Sequence, residues 1–186
     1  SGVASVPDAG SLCRYPGSPV AEAPFDRALV PALVAWIADG ATPPPSRYPT
    51  IAAGEAVPPT RTATGFPDLD AIVVPSGQAA TPTPLQVIFS RLTNQLFVTD
   101  YAQAVPRAEL SARYALRVPR VDASGNELGG IATPEVRVPL ASYTGWNLRG
   151  AGHAEGDICS SNGSAIPLAV SPATRAAGDP RPSLAE

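Results

Sequence analysis

The densest group of side chains suited to ligand binding lies between Tyr143 and Arg149, in the string YTGWNLR. Two aromatic rings, a glycine and two strong hydrogen-bonding side chains occupy these seven positions. Because Tyr and Trp join a large apolar body to a polar tip, such a group either fills a core and bonds through its tips or forms a wall facing a ligand. The well-tied structural loop is the commoner outcome. We take Tyr143, Trp146, Asn147 and Arg149 as the substrate-pocket candidates of this sequence.

Catalytic chemistry is hard to assemble from the other residues. A serine hydrolase needs a nucleophilic serine, a histidine and a carboxylate, and no glycines in the sequence frame a serine as Gly-x-Ser-x-Gly. The single histidine, His153, lies in the polar loop GHAEG. A solvated imidazole is its ordinary state there, and a catalytic base is the alternative. Motifs for phosphate, zinc-hydrolase and EF-hand calcium sites are also missing. We therefore expect no catalytic residue, cofactor or metal site in this chain.

The two cysteines, Cys13 and Cys159, lie near opposite ends of the 186-residue sequence. Two distant cysteines and a single histidine do not have the spacing of a zinc site. A disulfide between them would close a long loop and stabilise the fold by roughly 4–5 kcal/mol in the chain-entropy description. Two free buried thiols are the alternative, and the spacing alone leaves both open.

Composition narrows the class of protein. A hydrophobic fraction of 44% is enough for one core, while 23 dispersed prolines limit long helices and central strands. All thirteen basic residues are arginines, the net charge is −3, and no basic run exists, which argues against nucleic-acid binding. No apolar run reaches the ~20 residues of a membrane helix. The composition predicts irregular but ordered backbone, without membrane span or nucleic-acid partner.

A β-hairpin is predicted upstream of the pocket candidates. Alternating apolar residues indicate a strand over residues 114–118, the turn chemistry lies in 122–126, and residues 127–131 can return as the second strand. The segment from Pro134 to Pro139 is then expected to be extended, at most as an edge strand.

The clearest helix signal lies in residues 25–38, where Phe25, Leu29, Leu33 and Ile37 recur at helical spacing. Gly40 is a natural terminator, and three prolines follow it. Because a proline interrupts the pattern at position 31, the helix is expected to kink there or to begin nearer to it. Its apolar face needs a sheet or another helix to cover it.

Other elements are predicted to be short. Candidate strands lie at residues 71–74, 85–89 and 96–98. Ser183 and Glu186 have the spacing of a capping box, which normally begins a helix, although the sequence ends there. We expect from this that the sequence is a processed or truncated piece of a longer chain.

Several strings resemble the C-terminal part of a bacterial α/β-hydrolase-domain family, and YTGWNLR is the most specific of them. The matching strings, read off the sequence, are Pro43–Pro49, Asp122–Glu127, Gly130-Ile131, Pro134-Glu135, Val138–Leu140, Tyr143–Arg149, Gly163-Ser164, Ile166-Pro167, Arg175 and Gly178–Leu184, with Trp36 and Asp39-Gly40 ending the helix before them. The departures are Pro31, His153 and Ser171-Pro172. The resemblance spans nearly the whole chain.

The resemblance implies the fold class α/β: the C-terminal part of an α/β-hydrolase fold, with one core helix followed by a proline-rich, loop-dominated extension of short β-strands and a hairpin. Residues 1–40 would hold the last core helix with its preceding loop, and 41–186 a family-specific extension packed on the same domain. In this family the nucleophilic serine lies far upstream, and the histidine lies just before the helix that begins near Phe25. The Ser/His/acid triad would then belong to a missing or partner segment.

Two functions follow from these observations. The first is a piece of a serine hydrolase acting on a small-molecule ester or amide, covering the core sheet and lining or lidding the pocket. The second is a stand-alone, non-catalytic binding or structural module. Because Cys13 and Cys159 flank the matched region, we predict a disulfide that ties the N-terminal loop to the segment around Trp146. We expect a secreted or periplasmic location, with a cytoplasmic one as the alternative.

Overall fold

A computed structural model describes residues 12–73, 96–98, 100–105 and 108–186 of the chain. The helices are α1 (Ala23–Asp39), α2 (Arg61–Thr64), α3 (Asp70–Val73) and α4 (Pro134–Arg137). The strands are β1 (Ala56–Val57), β2 (Leu96–Val98), β3 (Ala108–Arg113), β4 (Val118–Pro119), β5 (Ala141–Thr144), β6 (Asn147–Leu148), β7 (Ile158–Ser160) and β8 (Ser164–Pro167). A 3-10 turn covers Pro172–Thr174.

Within the described residues the strands form four antiparallel pairs: β1 with β4, β2 with β3, β5 with β8, and β6 with β7. The β5–β8 pair is the most regular, with Ala141 opposite Pro167 and Thr144 opposite Ser164. A small apolar core lies beside it, and its fully buried members are Leu69, Val73, Leu148 and Ile166. One long helix, three helices of four residues each and several short strands agree with the expected loop-dominated architecture.

The predicted N-terminal helix is confirmed, and it is longer than its sequence pattern. It contains Pro31 in its interior, so a start near that residue is wrong. Gly40 ends it in the left-handed conformation, with its N–H donating to the carbonyl of Trp36 at 3.1 Å. None of its residues is buried, and Ile37 is 76% exposed. The described part of the chain does not cover the apolar surface of α1.

The predicted hairpin is correct at its turn and too long in its arms. The Asp122 N–H donates to the carbonyl of Asn126 at 2.8 Å, and Gly125 has the positive φ expected of it, at 82°. The arms end after the bridge between Val121 and Glu127. Strand β4 pairs with β1 instead of with the returning segment.

Two other predictions about local structure are wrong. Residues 70–73 form α3 instead of a strand, because Asp68 accepts the N–H of Asp70 and the Leu69 carbonyl accepts the N–H groups of residues 72 and 73. The expected edge segment forms α4, since Pro134 occupies its first turn, where no N–H is needed. The strand at residues 96–98 is confirmed. The candidate at 85–89 and part of 71–74 lie outside the described residues.

Candidate functional site

The segment from Leu12 to Pro16, here called the N-terminal strap, runs antiparallel beside β6 and reaches β8. Its backbone is bonded at three points: the Arg14 N–H donates to the Leu148 carbonyl at 2.7 Å, the Gly150 N–H to the Leu12 carbonyl at 3.0 Å, and the Ala165 N–H to the Pro16 carbonyl at 2.9 Å. The strap thus behaves as an additional strand that pairs with the residues of the pocket-candidate segment.

A disulfide fixes one end of the strap. Cys13 and Cys159 are bonded, with their Cα atoms 5.5 Å apart, so the predicted bridge is confirmed. The Arg14 guanidinium fixes the same segment to α3 by donating to the carbonyls of Val73 at 3.0 Å and Ile72 at 3.1 Å. Two long-range connections therefore hold the strap against the core.

Asn147 joins the strap to β6 and is 2% exposed. Its Oδ1 accepts the N–H of Tyr15 at 3.3 Å and that of Leu148 at 2.8 Å, while its Nδ2 donates to the Tyr15 carbonyl at 2.8 Å. The side-chain amide thus imitates a backbone partner and satisfies both polar groups of one strap residue. These internal bonds occupy the amide that the sequence suggested for a substrate.

Trp146 and Arg149 lie on either side of this joint. Trp146 packs against the apolar core, with its ring centroid 6.4 Å from that of Phe66 at an interplanar angle of 58°. Arg149 is partly buried, and its backbone pairs with Cys13 and with the carbonyl of Asp157. Its guanidinium has no hydrogen bond to the described residues. The backbone of Arg149 is therefore structural, while its side chain is available.

A buried ion pair lies behind β5 and β8, and sequence reasoning missed it. Arg181 is 1% exposed and binds both carboxylate oxygens of Asp179, at 2.9 and 2.8 Å. It also donates to the Ser142 hydroxyl and to the carbonyls of Ile166 and Pro167. One side chain thereby fixes both strands of the pair. The only signal in the sequence was the string from Gly178 to Leu184, which entered the resemblance without an assigned role.

This arrangement shifts the pKa values of two partly buried groups, Asp179 and Tyr15. Burial would raise the pKa of Asp179, but the hydrogen bonds and positive charge of Arg181 outweigh burial and hold that pKa below its usual value. The pKa of the Tyr15 hydroxyl is raised, mainly because burial disfavours the phenolate. Both groups therefore keep their ordinary charge states at neutral pH.

Tyr143 alone among the four pocket candidates lines an open groove of about 310 Å³, here called the Tyr143 groove. The groove also touches Asn126, Glu127, Gly145 and Asn162. Asn126 is buried at its base, where its Nδ2 donates to the Ala141 carbonyl at 3.0 Å and its Oδ1 accepts the Tyr143 N–H at 2.8 Å. The turn predicted from sequence thus presents one wall of the groove.

His153 lies in the loop between β6 and β7 and is exposed. Its imidazole has no hydrogen bond to any residue that the structure describes, so no serine or carboxylate positions it there. The described residues also contain no group of three His, Cys, Asp or Glu side chains that could hold a metal ion. The part of the chain described here therefore lacks an assembled catalytic triad.

A second surface of interest lies along α1. A shallow cleft of about 290 Å³ runs beside the helix, and Leu29, Leu33, Trp36 and Pro43 are among its walls. The walls are almost entirely apolar, and the Trp36 indole N–H has no partner among the described residues. In the described part of the chain, no helix is long and apolar enough to cross a membrane.

Comparison with known proteins identifies a family for this chain. No curated protein and no solved structure matches the chain. The profile of a family described as an alpha/beta hydrolase domain matches residues 3–178 and so includes α1, the strap, the Tyr143 groove and all of the strands β1 to β8. Since this match spans most of the sequence, the chain belongs to the alpha/beta hydrolase domain family.

Proposed function

We propose that this chain is a C-terminal portion of a serine hydrolase acting on an ester or amide. In this proposal it covers the core sheet and lines or lids the substrate pocket. Acyl transfer to a serine, with a backbone oxyanion hole, would be performed by polypeptide outside these 186 residues. Family membership supports the hydrolase class. The missing nucleophile motif and the unpartnered imidazole of His153 support placing the triad elsewhere.

The observation that carries the proposal is the uncovered surface of α1. Leu29 and Leu33 are 46% and 49% exposed, Trp36 is 52% exposed and Ile37 is 76% exposed. Covering side chains of this size contributes roughly 1 kcal/mol or more for each when about half of their surface is removed from water. A helix that is apolar on several sides belongs in a protein interior. An α/β hydrolase sheet is the cover that the family supplies.

The strap and the disulfide complete the proposal. The strap and the disulfide connect the segment before α1 to the strands β5 to β8. If α1 docks on a hydrolase sheet, these connections would hold the four strands at a fixed position beside the pocket. A disulfide persists in an oxidising compartment, which favours a secreted or periplasmic protein. The substrate would be a small molecule, and the reaction would need neither a metal nor an organic cofactor.

The proposal predicts that the isolated chain is inactive. Incubation with a fluorophosphonate probe should label no residue, and p-nitrophenyl ester hydrolysis should equal that of buffer. His153→Ala should change neither result. Probe labelling of a serine in this chain, or ester turnover that disappears in His153→Ala, would place a catalytic group here and overturn the proposal.

A further inference from the structure

The Tyr143 groove is bounded by five separate parts of the fold, two of which are the segment before α1, through Ser18, and α4, through Val136. The open end of the β5–β8 pair contributes Tyr143 and Gly145, the turn before α4 contributes Asn126 and Glu127, and the loop before β8 contributes Ser161 and Asn162. Its volume of about 310 Å³ lies at the small end of the range for ligand sites, which is about 300–1,000 Å³. The groove therefore has room for one small ring or a short chain.

Its polar side chains are of two kinds. The side chains of Asn126 and Thr144 are hydrogen-bonded within the protein, and the Thr144 hydroxyl pairs with that of Ser164 at 2.7 Å. Four others on the wall have no hydrogen bond to any described residue: the Tyr143 hydroxyl, the Glu127 carboxylate and the side chains of Ser161 and Asn162. Four unpartnered hydrogen-bonding groups thus line one groove whose base is rigid.

The charge of the groove restricts its ligand. Its described lining contains one carboxylate, that of Glu127, and no arginine. Phosphates and carboxylates would meet repulsion without a compensating cation. Hydroxyl, amide and carboxylate groups together can both donate to and accept from neighbouring alcohol groups, and the Tyr143 ring offers a flat apolar surface beside them.

We propose that the Tyr143 groove binds a neutral, hydroxyl-rich ligand of the size of one sugar ring. Glu127 and Asn162 bind adjacent hydroxyl groups, and Tyr143 covers one face of the ring and bonds through its own hydroxyl. This binding uses only the residues of this chain, so it does not depend on whether the chain lines the pocket of a hydrolase.

Gly145 offers a specific way to test the site. A Cβ atom added there meets no atom within 4 Å, and the backbone of Gly145 is not in the left-handed region. Because Gly145 lines the groove, Gly145→Gln places a long side chain at the groove without straining the backbone. Ala52→Gln is the matched control, because Ala52 is exposed in a turn remote in sequence from the groove and adds the same side chain.

The experiment is a titration of the isotope-labelled chain followed by its backbone amide resonances. The probes are methyl glucoside, methyl galactoside, N-acetylglucosamine and cellobiose, with inorganic phosphate and choline as charged comparisons. At least one neutral sugar should shift the amides of Tyr143, Gly145 and Asn162 with saturation. Glu127→Gln should weaken that binding about tenfold, because a hydrogen bond to a charged carboxylate is replaced by a weaker one to a neutral amide. Gly145→Gln should abolish it, and Ala52→Gln should leave it unchanged.

Two results would overturn the proposal. One is that none of the four sugars shifts these amides up to its solubility limit, or that only choline or phosphate does. The other is that Gly145→Gln, with an otherwise unchanged spectrum, binds the sugar as well as the unaltered chain. The labelling and ester assays of the isolated chain are separate, so either proposal can fail without the other.

Discussion

Replacing Asn147 with alanine should destabilise the chain strongly, because its amide is the joint between the strap and β6. The substitution leaves the N–H and the carbonyl of Tyr15 without a partner and also removes an acceptor from the Leu148 N–H. A buried polar group left unsatisfied costs about 1–3 kcal/mol. Water entering the space of the lost amide recovers part of this, so we expect a total loss of about 2–4 kcal/mol.

The assay is urea unfolding of the oxidised chain, followed by tryptophan fluorescence and circular dichroism. Asn162→Ala is the matched control, since the same amide is removed from an exposed side chain that has no hydrogen bond to the described residues, and its effect should stay within about 0.5 kcal/mol. Asn147→Asp keeps the shape but replaces the donor to the Tyr15 carbonyl by a carboxylate oxygen and buries an unpaired charge, so at neutral pH it should destabilise the chain at least as much as Asn147→Ala.

The comparison also decides between the two roles of Asn147 that its sequence permits. If Asn147→Ala unfolds at the same urea concentration as Asn162→Ala, the amide contributes nothing to the fold. The reasoning that treats it as a structural joint would then be refuted, and Asn147 would return to the set of substrate-facing residues.

Three further predictions follow from the same structure. Reducing the bond between Cys13 and Cys159, which are 146 residues apart, should lower the free energy of unfolding by about 4–5 kcal/mol, measured by urea unfolding with and without dithiothreitol; an unchanged midpoint would contradict this. The folded-state pKa of Asp179 is lowered, so its contribution is present at neutral pH and is lost as the pH falls below about 4. Asp179→Asn should therefore unfold more easily at neutral pH and show a flatter acid limb in a pH series of thermal melts, whereas an unaltered acid limb would argue against the ion pair. Ile37→Ser should change the stability of the isolated chain by less than about 0.5 kcal/mol, because the side chain is 76% exposed; a loss several times larger would mean that this chain already covers α1.

Local signals in the sequence were sufficient for some elements. The end and the helical character of α1 could be predicted because both depend on neighbours along the chain. The helical character followed from the spacing of Leu29, Leu33 and Ile37, and the end followed from the position of Gly40. The turn at residues 122–126 followed from the same kind of short-range chemistry. The disulfide needed an additional argument from the resemblance, because spacing alone left free thiols equally open.

Other features depended on contacts that no local pattern contains. The β-branched residues Ile72 and Val73 favour a strand, yet the Asp68 side chain and the Leu69 carbonyl accept N–H groups of the first helical turn and make this segment a helix. Arg181 lies between two prolines and reads as a surface residue, although it is buried against Ser142, which is distant in sequence. Among the predicted pocket residues, the sequence could not separate Asn147, whose amide is bonded internally, from Tyr143, which lines a groove.

The central claim is that α1 is covered by the hydrolase polypeptide that carries the catalytic serine. The most direct measurement places a photo-reactive benzoylphenylalanine at Leu33, with the same group at Ala52 as the control, in protein produced in its native host. Cross-linked peptides are then identified by mass spectrometry. The account predicts that Leu33, and not Ala52, becomes linked to polypeptide bearing a nucleophilic serine that a fluorophosphonate probe labels. Cross-links from Leu33 only to residues 41–186, or to a second copy of this chain, would contradict it.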